Sequence, residues 1–157
     1  MSQNIKQGLK ISGIIIIIAI IIIVGISVRM KDVNSHITTI ENDLKNSCFR
    51  VENRLNNGEL MSERNYEFLS NGTMRVVYIM YAYDEEKFEY IDEIEEEDVS
   101  GPYNFHVEGD IFGNYTAYAT YINDTEDHSK GDLYGDFELT LNSSYRVTNI
   151  GGYLRTR

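Results

Sequence analysis

Apolar residues along the chain fall into three successive patterns: an unbroken run, a helical stripe and a series of two-residue alternations. The run covers residues 11–28, 18 positions without a charge and most of them isoleucine. As a helix rising 1.5 Å per residue it reaches about 27 Å, close to the hydrocarbon thickness of a bilayer. Lys6 and Lys10 flank one end, and Arg29 and Lys31 the other, placed to reach headgroups. Apolar residues on every side of one helix predict a transmembrane anchor, with residues 1–10 as a short cytoplasmic leader. Gly25-Ile26-Ser27 is a small-x-small triplet of the kind that precedes signal cleavage. The run is long for a signal peptide, however, and no polar residue separates it from the triplet, so a retained signal-anchor is the expectation.

The stripe is Val33, Ile37, Ile40, Leu44, Cys48, Val51 and Leu55, spaced 4, 3, 4, 4, 3 and 4. It places one apolar face on a helix, with Asp32, Glu41, Asp43, Lys45, Glu52 and Arg54 largely off it. No proline or glycine intervenes between Gly25 and Gly58. The pattern predicts an amphipathic stalk helix over residues 29–57, packed on the rest of the domain. Cys48 sits on the stripe as a small core residue. If the stripe instead pairs two chains, Cys48 is placed for an intermolecular disulfide.

From residue 58 to 157 the period is two. Asn71-Gly72, between residues 65–70 and 73–83, is a hairpin signal, and Val76, Val77, Tyr78, Ile79 and Met80 read as a central strand. The stretch 92–98, nearly all acidic, reads as an exposed connection. Alternation resumes at Tyr103, Phe105 and Val107; at Tyr115, Ala117, Ala119 and Tyr121; and at Leu133, Phe137, Leu139 and Leu141. Tyr145 and Val147 then lead into Gly151-Gly152. The expected fold is α+β: a transmembrane helix continuing into an amphipathic helix, then an antiparallel meander of about five to seven strands.

Charge narrows the partners. All 25 acidic residues and 10 of the 14 basic ones lie beyond residue 31, giving that part 10 − 25 = −15. Such a surface repels nucleic acid. The expected partners are the lipid bilayer and another membrane or surface protein, or a second copy through the stalk helix. All 12 tyrosines fall in the β region, as suits half-buried strand positions with the hydroxyl in water. Asn71, Asn114, Asn123 and Asn142 each begin an N-glycosylation acceptor triplet, a pattern that turn-rich sequences also collect. Together with the short leader, these triplets favour the N-terminus inside and the C-terminal domain outside the cytoplasm.

Chemistry is sparse. His36, His106 and His128 lie in different elements, with no partner at metal-ligand spacing. His36 reads as an exposed stalk residue. Asp124, Glu126, Asp127 and Asp132 crowd one loop without the spacing of a calcium hand. Gly109-Asp-Ile-Phe-Gly-Asn-Tyr recurs as Gly131-Asp-Leu-Tyr-Gly-Asp-Phe, which shared turn chemistry or a ligand-cradling pair of loops would explain. No catalytic set, cofactor or metal is expected. The reading is a membrane-anchored extracytoplasmic binding or assembly module without catalysis. Its alternative is a self-assembling surface subunit: the helix-then-sheet plan resembles that of pilins, although Lys10 and Gly13 depart from the pilin leader pattern. A membrane-bound enzyme is the third reading, with no constellation to support it.

Overall fold

The computed structural model describes residues 2–156 and, within the N-terminal helix, side chains from Ile15 onward. Helix α1 (Ser2–Leu44) stops earlier than the stripe predicts. Asn46 takes a left-handed backbone with φ 63°, and the Ser47 amide donates to the Leu44 carbonyl at 2.9 Å. Asparagine tolerates that conformation at a helix C-terminus, because its short polar side chain lowers the cost. The chain then turns into strand β1 (Cys48–Arg54). Cys48 and Val51 therefore lie on a strand, and Leu55 just past it. Their spacing continues the helical period only by coincidence.

Seven further strands follow: β2 (Leu60–Phe68), β3 (Thr73–Asp84), β4 (Glu89–Gly109), β5 (Tyr115–Tyr121), β6 (Leu133–Leu141), β7 (Val147–Ile150) and β8 (Tyr153–Arg155). Each pairs antiparallel with its neighbour, and β8 returns to β1 through Phe49↔Arg155 and Arg50↔Leu154. The expected open meander of five to seven strands is thus corrected to a closed barrel of eight. Closure depends on β7 and β8, four and three residues long, too short to show a period in sequence. The acidic stretch is also corrected. Residues 92–98 belong to β4 and pair with β3, as in Tyr78↔Asp98 and Met80↔Glu96. The hairpin at Asn71-Gly72 joins β2 to β3 as expected, with Gly72 at φ 82°.

The barrel is filled by side chains. Phe68 meets Phe49 and Phe105 edge-on, with centroids 5.9 and 4.9 Å apart, and the buried Ala119 and Ala117 pair across strands with Phe105 and Phe137. The second half of α1 seals one end. Val33, Ile40 and Leu44 are buried there, together worth about 5 kcal/mol of burial. Two acids from the expected solvent side of the helix reach strand amides. Glu41 Oε1 accepts from the Val107 amide at 3.0 Å and Asp43 Oδ2 from the Val147 amide at 2.8 Å.

The expected transmembrane anchor is overturned: among the described residues, no helix is long and apolar enough to cross a membrane. The uncharged run ends at Val28, ahead of Arg29, Lys31 and Asp32. Arg29 is already held by the barrel, its Nε donating to the Ile111 carbonyl at 3.2 Å. The single-pass topology and the orientation built on it, inside to outside, are withdrawn with the anchor. The leader 1–10 and residues 11–14 lie outside the described side chains.

Candidate functional site

Helix α1 occupies one end of the barrel, so the opposite end is a free mouth. The ends of β1, β3, β5 and β7 and the starts of β2, β4, β6 and β8 surround it. Aromatic rings line it because alternation brings every second residue of each strand inward. Tyr103 stacks on Tyr134 with centroids 4.0 Å apart, and Tyr66 meets Tyr153 edge-on at 4.6 Å. The Tyr66 hydroxyl donates to that of Tyr153 at 3.5 Å. Burial first, then Tyr153, pushes the Tyr66 phenol well above its ordinary value despite the nearby Arg64 guanidinium. Burial raises Tyr134 in the same direction. Both phenols stay protonated at neutral pH and keep a proton to donate.

Arg64 projects at this lip against the phenols of Tyr66 and Tyr153. It faces the ring of Tyr78, 5.9 Å from the centroid. Arg64, Val76, Tyr78, Asp98, Ser100 and Tyr134 enclose an open depression of about 350 Å³. Beyond it, residues 89–100 of β4 pair only with β3, since β5 joins β4 from Tyr103 onward. That free edge carries Asp92, Glu93, Glu95, Glu96, Glu97 and Asp98, charges that discourage edge-to-edge pairing with another sheet.

A second surface is the helix itself. Eleven large apolar residues between Ile15 and Val28 are exposed. Consecutive positions turn by about 100°, so Ile15, Ile16, Ile17 and Ile18, each more than half exposed, point in four directions. At the base of this helix Phe112, 81% exposed, and Tyr145 flank a depression of about 290 Å³ with Arg29, Asp32 and His36.

The residues singled out in the sequence are dispersed. Cys48 is a buried free thiol, its Sγ 4.0 Å from Asn65 Oδ1. Asn65 also bonds Arg50 and the buried Glu63, a polar network on the outer face that alternation alone did not reveal. Asn71, Asn114, Asn123 and Asn142 are all exposed. Three of them hold their own turns: Asn71 Oδ1 accepts from the Thr73 amide, Asn142 Oδ1 from the Ser144 amide, and Asn114 Nδ2 donates to Asp110. His36 is not an exposed stalk residue. Its Nδ1 lies 3.0 Å from the Tyr115 hydroxyl and its ring stacks on Tyr145 at 3.7 Å. His106 stacks on Tyr118 and His128 on Tyr121, so the three imidazoles sit apart. Asp124 and Asp132 accept from the Lys130 and Ser129 amides of their own loop. The repeated Gly-Asp segments lie at opposite ends of the barrel, between β4 and β5 and between β5 and β6, and cradle nothing jointly. Arg64 gives no signal in the sequence, because a single arginine in a strand carries no motif. Compared with known protein families, with curated proteins and with solved structures, the chain matches none.

Proposed function

We propose that the chain is a binding and assembly module without chemistry of its own, gathered into oligomers by α1 and displaying the barrel mouth outward. The observation that carries this reading is the exposure of Ile15 to Val28 on all sides of the helix. Soluble monomers rarely expose an apolar patch beyond a few hundred Å². Covering the exposed half of one isoleucine is worth roughly 1 kcal/mol. The eleven residues together offer about 10 kcal/mol, comparable to the cost of association. A second copy is the occupant that fits, because an identical helix presents the same uncharged surface, and copies arranged around one another cover several sides at once. Phe112 extends the apolar surface onto the barrel at the same end. The mouth, at the far end, stays accessible in such an assembly.

Sedimentation velocity tests this. The full chain is expected to sediment as an oligomer, and a chain carrying Ile17→Asn and Ile21→Asn as a smaller species with an unchanged β-sheet spectrum. A full chain that sediments as a monomer at tens of micromolar, or a variant that assembles equally well, refutes the reading.

A further inference from the structure

Among the arginines on the strands, Arg50, Arg54, Arg75 and Arg155 each have a carboxylate partner. Arg64 has no ion pair among the described residues, although acidic side chains outnumber basic ones 25 to 10 beyond residue 31. Asp98 is likewise without one. The two flank Tyr78 on neighbouring strands, through Arg64↔Tyr78 and Tyr78↔Asp98. Two strand spacings, roughly 10 Å of backbone separation, lie between them. Opposite charges thus face one depression without meeting.

We propose that the barrel mouth binds a free α-amino acid, its carboxylate on Arg64, its ammonium on Asp98 and a flat or apolar side chain against Tyr134 and Val76. A planar guanidinium takes a carboxylate through two parallel hydrogen bonds. Ser100 and the protonated Tyr134 phenol stand beside it in the same wall. Net charge selects the class of ligand. A region at −15 repels a simple anion, and a simple cation leaves Arg64 unmatched. A zwitterion carries no net charge and satisfies both residues. This inference concerns the mouth alone and does not depend on assembly through α1.

Calorimetric titration of the full chain tests it with three probes: L-phenylalanine, 3-phenylpropanoate, which lacks the ammonium, and 2-phenylethylamine, which lacks the carboxylate. L-Phenylalanine is expected to bind saturably with a Kd in the millimolar range or tighter, and each half-probe at least about tenfold more weakly. Arg64→Gln and Asp98→Asn alter exposed side chains, so both should fold, as circular dichroism will verify, and each should weaken L-phenylalanine by about tenfold or more. The proposal is overturned if L-phenylalanine gives no saturable heat up to about 10 mM. It is also overturned if a half-probe binds as well as the whole, or if either folded variant binds as the parent does.

Discussion

Asp43 shows how much one side chain can organise. Its carboxylate receives Arg155 and Arg146 as well as the Val147 amide, and its carbonyl accepts from Arg155 Nη2 at 3.0 Å. Burial pushes the carboxyl up, but the Arg155 hydrogen bond, the Val147 amide and the arginine charges outweigh it and hold the group below the ordinary aspartate value. Stability from this site is therefore fully present above about pH 3.9 and fades as pH falls through the lower folded value. Asp43→Ala is expected to cost about 3 kcal/mol at pH 7, measured by urea unfolding, with the gap to the parent shrinking at pH 3. An equal gap at both values would contradict the role given to its charge. Gly109 is a second such position. A Cβ there would stand 2.6 Å from Tyr115 Cε1 and 3.0 Å from Val33 Cγ1, so Gly109→Ala should lose about 1–3 kcal/mol in the same assay. Neither residue announces itself in sequence. Asp43 lies off the apolar stripe and reads as solvated, because what makes it structural is an arginine 112 positions away.

Elements were legible where burial alternates cleanly and illegible where charge or chain reversal masks the pattern. Strand β6 could be read from Phe137 and Leu139, both buried, between Asp136 and Glu138. Strand β4 could not be read over residues 92–98, because an edge strand facing water on its free side accepts carboxylates that a central strand would exclude. Replacing Glu93, Glu95 and Glu97 with threonine keeps strand propensity and removes the charge. Such a variant is expected to scatter light and precipitate at concentrations where the parent stays clear. The end of α1 is the other masked feature. Asn46 is predicted to accept glycine within about 0.5 kcal/mol, whereas Asn46→Val, forced into the left-handed region, should cost about 1–2 kcal/mol by thermal or urea unfolding.

At the scale of the whole molecule, the meander was visible as a succession of short strands, but its closure was not. Two residues of pairing between β1 and β8 join the barrel, and a pair of strands roughly a hundred residues apart leaves no local signature. The mouth exists only because of that closure, which is why its tyrosines read in sequence as unconnected strand positions. Closure also fixes a polarity: α1 plugs one end, and the depression lined by Arg64, Tyr134 and Asp98 stands at the other. Disulfide trapping reports on whether copies meet through the helix. In a Cys48→Ser background, single cysteines are placed in turn at positions 16, 17, 18, 20 and 21, and the full chain is oxidised mildly. Helices packed 8–10 Å apart bring some of these thiols within bonding reach. Covalent dimers are expected from cysteines on more than one side of α1, with none from an exposed control at position 98. Chains that stay uncrosslinked at every helix position would rule out assembly through α1.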